Sequence, residues 1–300
     1  MLLCMTFLEY EVRTFGLANK TDNYMNVPMG LRKLRYHPLV IRLISLLHLS
    51  DIARELFNSL TMPASKTMTF AVSGLKAQFF VETKKQLEYV SQALLCNRHR
   101  ELGTLQKLLA NLYPGDVAFD VGAYMGVFTI IMAKKIGSRG AVVAFEPSLN
   151  NFKILERNIR LNRLSNVYPL NLALGESSRT GVIYENDEES SLSQAVSSSR
   201  KCHTINILSG DEVVKSKHLP VPKIVKIDVE GFEFRVIQGF RNILANRTCR
   251  IVCCEIHPRL LLDGETFKDI ELFLTLLRFQ LEEIIDRFDT FHVLFRKREF

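Results

Sequence analysis

The sequence predicts an α/β fold: a mostly parallel sheet with helices on both faces, ending in an antiparallel hairpin and preceded by an N-terminal helical and β-hairpin extension. Three observations predict it. From Tyr113 onward, short apolar runs alternate with stretches of helical periodicity, the pattern of repeated β-α units. The runs VAFDV, AVVAF, IVKI and RIVCCEI are apolar at nearly every position, as strands covered on both faces must be. The final segments LEEIIDRF and FHVLFRKR lie close together in the chain and pair as a hairpin. The main domain is read over residues 113–300 and the extension over 1–112.

In order along the chain, residues 28–60 place Leu39, Leu43, Leu46 and Leu47 at helical spacing, with Arg32, Lys33, Arg35, Arg42 and Arg54 mostly elsewhere. Such a stripe packs on its own domain or lies on a membrane surface, so this stretch is where peripheral membrane contact is expected if there is any. MTFAV and AQFFV flank SGLK as a hairpin, and helical patterns run from about Lys84 to Asn111 with a break near Asn97. VAFDVG is a strand ending in a glycine turn. GVFTIIMAKKI is the helix after it, with Lys134 and Lys135 at its C-terminal end and Gly137 as its stop. AVVAFEP is the next strand, and Ser148 caps the helix LNNFKILERNIRLNRL. NVYPLNLALG, GVIYE and HTINIL read as strands, and the Ser-rich segment 185–201 between the last two reads as a loop. IVKIDVEG, the helix FEFRVIQGFRNILAN, RIVCCEIHP and the helix FKDIELFLTLLRF lead to the hairpin.

Composition narrows the function classes. With 47% hydrophobic and 24% charged residues the chain is an ordinary globular protein, and 300 residues suffice for one large domain plus an extension. A net charge of +7 leans towards anionic partners, but no basic block concentrates it. The six cysteines form no C-x-x-C pair and have no His spacing suited to zinc. Cys253 and Cys254 fall on opposite faces of one strand, and buried thiols in a reducing cytoplasm fit this usage. No signal peptide is recognisable, and the most apolar stretch, PLVIRLISLLHL, is too short to span a bilayer and is interrupted by Arg42. A cytoplasmic protein without a transmembrane segment is the expectation.

Ligands of such sheets bind beyond the carboxyl ends of the strands. The residues there are Asp120–Gly126, Glu146, Asn171–Ala173, Asp228–Glu230 and Glu255–His257. The first turn, DVGAYMG, has Asp120 where a dinucleotide fingerprint has glycine. A carboxylate there repels a diphosphate and suits a cationic ligand such as S-adenosylmethionine (SAM), while Gly122 and Gly126 let the backbone approach it. Glu146, about twenty residues further on at the second strand tip, is placed to accept ribose hydroxyls.

DVGAYMGVFT, AFEPSLNNFKILERNIRLN, NLALGE, KIDVEGFEFRVIQG and CCEIHP together resemble the FkbM family of SAM-dependent methyltransferases, over roughly residues 113–295. The resemblance implies a class I methyltransferase (Rossmann-like) fold and O-methylation of a hydroxyl on a sugar, lipid or natural-product acceptor. It carries Asp120, Gly122, Ala123 and Gly126 onto the cofactor loop and Glu146 onto the ribose acid with Pro147 beside it. Leu172 and Ala173 fall near the adenine. Tyr124 and Met125 stand at variable loop positions.

A methyl transfer to an alcohol needs alignment and a group that takes the hydroxyl proton. Asp228 is the first candidate; Glu230 shares that work or caps the following helix, and Glu233 in the first helical turn reads as structural. Glu255 and His257 leave the neighbouring strand tip, and His257 is either a base or an exposed loop histidine. Asp228, Glu230 and Glu255 can converge on a divalent metal, but no spacing demands one and none is expected. Two alternatives stay open: an RNA ribose methyltransferase, which the basic charge allows but no aromatic-lined basic groove supports, and a SAM-binding module without catalysis.

Overall fold

The computed structural model describes residues 66–95, 100–185, 190–191, 201–285 and 290–298. The stretch 28–60, the expected break near Asn97 and most of the Ser-rich segment lie outside them. The described residues fall into two units, a smaller one that contains 66–69 and 80–91 and a larger one that contains 70–79 and the described residues from 92 onward.

Strands β1 (Thr67–Val72) and β2 (Leu75–Phe80) make a two-stranded hairpin. Its turn is the pair Ser73–Gly74 at φ 47° and 79°, tighter than the four residues expected, because a two-residue left-handed turn matches the strand twist. Helix α1 (Lys84–Leu95) starts at a reciprocal cap: Gln86 N–H donates to Thr83 Oγ1 at 3.2 Å, and Thr83 N–H donates to Gln86 Oε1 at 3.3 Å.

The larger unit contains α2 (Arg100–Asn111) and the α/β sheet. Its strands are β3 (Val117–Val121), β4 (Ala141–Phe145), β5 (Val167–Leu170), β10 (Ile224–Ile227), β11 (Ile251–Ile256), β12 (Phe279–Ile285) and β13 (Phe291–Lys297), in the order β12-β13-β11-β10-β3-β4-β5. The pairings β11/β10, β10/β3, β3/β4 and β4/β5 are parallel, and β13 is antiparallel to both neighbours, as the expected C-terminal hairpin. β10 is buried throughout, and Phe119, Phe145 and Phe240 meet at centroid separations of 5.6–6.4 Å in the core. Burying a side chain of this size stabilises by about 1.5–3 kcal/mol, so the central strands hold the site's platform rigid.

Helix α3 (Val127–Ile136) ends at Gly137, whose φ is 72°, with Lys134 and Lys135 in its last turn as anticipated. Helix α4 (Leu149–Leu161) starts at Ser148, whose Oγ accepts from Asn151 N–H at 3.4 Å. Two segments depart from the expectation. NVYPLNLALG is two strands: β5 sits at the edge of the main sheet, where Pro169 needs no partner for a missing N–H, and β6 (Ala173–Gly175) joins a separate sheet. That second sheet, ordered β6-β9-β7-β8, holds β7 (Arg179–Glu185), β8 (Ser190–Ser191) and β9 (Lys201–Ser209).

Helix α5 (Gly210–Ser216) follows β9. FEFRVIQGFRNILAN is likewise two helices, α6 (Glu233–Gly239) and α7 (Arg241–Ala245). At their junction Gly239 packs so closely that a Cβ would lie 1.9 Å from the Gly175 carbonyl oxygen, and its own carbonyl accepts from Ser209 Oγ at 3.0 Å. Helix α8 (Phe267–Leu276) has a capping box formed by Thr266 and Asp269. Among the described residues no helix is long and apolar enough to cross a membrane. Cys249, Cys253 and Cys254 are buried free thiols, whereas Cys202 is exposed. Burial pushes the Cys249 and Cys253 thiols up to about 12, so they are unreactive packing groups.

Candidate active site

Two groups of polar side chains gather at the carboxyl ends of β3, β4, β10 and β11. The turn after β3 is held by the Gly122 and Ala123 N–H groups, which both donate to the Phe145 carbonyl at 3.0 Å, and by Gly126 N–H donating to Ala123 at 2.8 Å. Gly122, Tyr124 and Gly126 have φ of 78°, 51° and 90°. Backbone packing inside the protein requires glycine at the first of these places, and a left-handed φ with a close side-chain contact favours it at the third. A Cβ on Gly122 would lie 1.7 Å from the Asp228 carbonyl oxygen, and one on Gly126 would lie 2.5 Å from Leu155 Cδ1. The turn is thereby docked against the loop that carries Asp228.

Asp120 is fully buried. Its Oδ2 accepts from Thr129 Oγ1 at 2.5 Å, and its Oδ1 lies 3.3 Å from Lys226 Nζ, an ion pair without hydrogen-bond geometry. The charge expected to face a cationic ligand thus has an internal counter-ion. Lys226 also donates to the Gly122 carbonyl at 3.2 Å, approaches Asp228 Oδ2 at 3.3 Å, and lies 5.0 Å from the Phe128 ring centroid. One buried ammonium therefore ties the turn after β3 to the tip of β10.

Glu146, also buried, accepts from Tyr124 N–H at 2.8 Å through Oε2 and from Ser148 N–H at 2.9 Å through Oε1. Burial outweighs these bonds and raises its carboxyl from 4.5 to about 7. Asn171 Nδ2 donates to the Glu146 and Pro147 carbonyls at 2.8 and 3.0 Å, which turns the chain out of β5 and sets Leu172 and Ala173 beside this edge. Half-buried Leu172 and Pro147 and buried Ala173 flank the carboxylate's strand tip. Two backbone bonds and the side-chain bond from Asn151 do not exhaust a carboxylate's lone pairs, and the remaining acceptor capacity suits a vicinal diol.

The second group is Asp228, Glu230, Glu255 and His257, which the fold brings together as the sequence suggested. His257 is buried rather than an exposed loop histidine. Its Nε2 lies 3.5 Å from Glu230 Oε2 and 3.8 Å from Glu255 Oε1. Its Nδ1 lies 2.7 Å from Glu233 Oε1. Burial alone would lower the imidazole, but the Glu233 bond and the charges of Glu233, Glu230 and Asp228 prevail and raise it to about 10. Burial would raise Glu255; the bond and charge of His292, the charge of His257 and the Thr290 hydroxyl hold it instead at about 2. His292 Nε2 stands 3.3 Å and Thr290 Oγ1 3.0 Å from that carboxylate. Asp228, Glu255 and His257 each offer one ligand-type atom within 4.8 Å of the others, a donor set of two carboxylates and an imidazole; Glu230, named in the sequence reading, is not part of this set.

Three participants were missed or misjudged from sequence. Glu233 is not simply an acid favouring a helix dipole; it is fully buried and bonded to His257. Lys226 was passed over, although a lysine inside the apolar run IVKI signals a buried charge that must be paired. Thr129 gave no signal, since its partner lies nine residues earlier on β3. Elsewhere, a concave surface of about 700 Å³ lined by Arg247, Arg250, Arg296, Lys297 and Arg298 sits at the opposite ends of β11 and β13. Its cations are partly tied within the fold, Arg250 to Asp116 at 3.0 Å and Arg296 to Glu282 at 2.6 Å.

Comparison with known proteins bears on this arrangement. The sequence profile of the Methyltransferase FkbM domain matches residues 120–281. The hexuronic acid methyltransferase AglP of Haloferax volcanii is 31% identical over 190 residues, 63% of this chain and 74% of AglP. The tRNA (guanine(37)-N(1))-methyltransferase Trm5b of Pyrococcus abyssi is 27% identical over 186 residues, and the match spans 53% of each protein. Among solved structures, a methyltransferase FkbM from Methylobacillus flagellatus is 13% identical with a TM-score of 0.44, over 72% of this chain and 55% of that one.

Proposed function

The chain belongs to the FkbM methyltransferase family, and on that premise we propose that it is a SAM-dependent O-methyltransferase acting on a hydroxyl of a sugar, a lipid or a natural product. The observation that carries the reading is the junction of two halves: a buried diol-accepting carboxylate, Glu146, and a carboxylate-rich group, Asp228, Glu230 and Glu255. The turn after β3 lies between them, locked to Asp228 through Lys226. The residues present fit the cofactor, since Glu146 can accept ribose hydroxyls and Tyr124, Pro147, Leu172 and Ala173 border it. When bound, SAM supplies an electrophilic methyl carbon on a sulfonium.

The chain's own part is to orient an acceptor hydroxyl and remove its proton. Asp228 is the group assigned to that proton: its side chain is 23% exposed, and Lys226 at 3.3 Å orients it. A positioned base is worth about 10²–10⁴-fold in rate. His257, raised to about 10, already carries a proton at neutral pH and serves as a donor from Nε2 rather than as the base. Glu230 and Glu255 accept hydrogen bonds from further hydroxyls of the acceptor, which keep their protons. Asp120, Asp228, Glu230, Glu233 and Glu255 outnumber Lys226, His257 and His292 here, which favours a neutral polyol over an anionic acceptor. The name of AglP points to a sugar acid as the acceptor class of that relative; here the acid-rich group favours the neutral sugar.

Calorimetric titration with SAM, followed by radiolabelled methyl transfer to a panel of neutral sugars, uronic acids, lipids and RNA, tests the reading. Micromolar SAM binding with methyl uptake by neutral hydroxyl acceptors supports it. Folded protein that binds no SAM refutes it. Binding without transfer to any acceptor leaves a non-catalytic SAM module, and uptake by RNA alone replaces the acceptor class.

A further inference from the structure

Within that methyl-transfer reading, one buried group has no part yet. Glu233 stands in the first turn of α6, where a carboxylate gains from the helix dipole while remaining in water. This one is 0% exposed instead. Removing a carboxylate from water costs several kcal/mol, a cost that a dipole worth a few tenths to one does not offset. Specific partners must hold it there. Its Oε1 accepts from Gly231 N–H at 2.9 Å and lies 2.7 Å from His257 Nδ1. The first bond folds the loop that carries Asp228 and Glu230 back onto the helix start. The second reaches across to His257, the residue that follows β11, whose last residues include Glu255.

The local backbone is fixed as tightly. Gly231 has φ 98°, and a Cβ there would lie 2.3 Å from the Leu260 carbonyl oxygen, so the two loops touch with no room for a side chain. Glu230 takes a left-handed φ of 52°, which costs about 1–3 kcal/mol for a residue other than glycine and persists only where the surroundings impose it. The His257 carbonyl accepts from Leu260 and Leu261 N–H at 2.9 and 3.2 Å, which anchors the histidine's backbone while Glu233 holds its ring. With Nδ1 occupied, the ring can present only Nε2 towards Glu230 and Glu255.

We propose that Glu233 is the positioning residue of the acceptor site: through His257 Nδ1 and Gly231 N–H it fixes one geometry for Asp228, Glu230 and His257 Nε2 against the acceptor. A carboxylate that orients an imidazole through its far nitrogen is a recurrent way of setting which nitrogen works. Glu233 itself touches no reacting atom, so its removal leaves cofactor affinity intact and damages only the alignment of the acceptor. A displacement of about 1 Å in such a group costs about a hundredfold in rate.

The test uses the full chain with Glu233→Gln, Glu233→Leu and Glu233→Asp, and nitrogen-labelled histidine observed by NMR. In the native protein the expected result is a slowly exchanging, strongly downfield Nδ1–H resonance from His257, identified by its loss in His257→Gln. That resonance weakens in Glu233→Gln and disappears in Glu233→Leu. SAM affinity stays within twofold, kcat falls about a hundredfold in Glu233→Leu, and Glu233→Asp recovers part of it. An absent Nδ1–H signal in the native protein overturns the proposal even if the variants do not fold. So does a Glu233→Leu variant with native kcat, or one in which SAM affinity and kcat fall together. If the native protein binds no SAM, the methyltransferase reading fails separately, and the NMR result still decides whether Glu233 holds His257.

Discussion

Replacing Lys226 by Met removes the ammonium that joins Asp120, the Gly122 carbonyl and Asp228 while nearly keeping its volume. In the native protein Lys226 is 3% and Asp120 0% exposed, so solvent screens their 3.3 Å pair little. The variant leaves Asp120 with the Thr129 hydroxyl as its one remaining bond and an Oδ1 that takes no hydrogen bond even in the native state. Breaking a buried pair from one side costs about 3–5 kcal/mol. For a chain of this size that lowers the melting temperature by roughly 6–20 °C. Asp120→Asn with Lys226→Met recovers most of the loss, because no fully buried unmatched charge remains and Asp228 keeps access to solvent. Differential scanning calorimetry of both singles and the double reads this. Additive single losses would refute the buried-pair argument.

Glycine substitutions separate strain from clash. Gly115→Ala, at φ 89° but with nothing within 4 Å of its new Cβ, loses about 1–2 kcal/mol. Gly122→Ala adds a contact of 1.7 Å with the Asp228 carbonyl, so thermal melting should show a markedly larger loss; equal shifts would mean that the turn after β3 is not docked there. Glu146, raised from 4.5 to about 7, makes the ligand-free fold less stable as pH climbs across that window, because the native state holds the proton longer. Glu146→Gln should abolish this slope in melting temperature. It should also weaken SAM binding by roughly 10–100-fold above pH 7, the worth of hydrogen bonds to a charged group, with little change below pH 6. An unaltered slope or unaltered affinity would remove Glu146 from the site.

The β-α alternation, the C-terminal hairpin and the strand tips that carry the polar groups were legible in the amino-acid order alone. Continuous apolar runs encode buried parallel strands, and caps such as Ser148 and Gly137 are local chemistry that a neighbouring residue reads directly. The same locality explains why Asp228, Glu230, Glu255 and His257 could be named beforehand: each stands one to three residues past an apolar run or at its end. Which of these groups pair is set only by the packed fold. Lys226 meets Asp120 across two adjacent strands, Gly122 packs against the Asp228 carbonyl, and Asn171 breaks a continuous apolar segment into strands of two sheets by bonding to Glu146 and Pro147. Glu233 shows the difference most clearly. Its position in a first helical turn suggested a solvated dipole partner, and only the packing of one loop against the next buries it and brings its oxygen 2.7 Å from His257. Burial and charge pairing are properties of the assembled strand ends, so they set the pKa of His257 and the division of roles among the acids without leaving a mark at any single position of the chain.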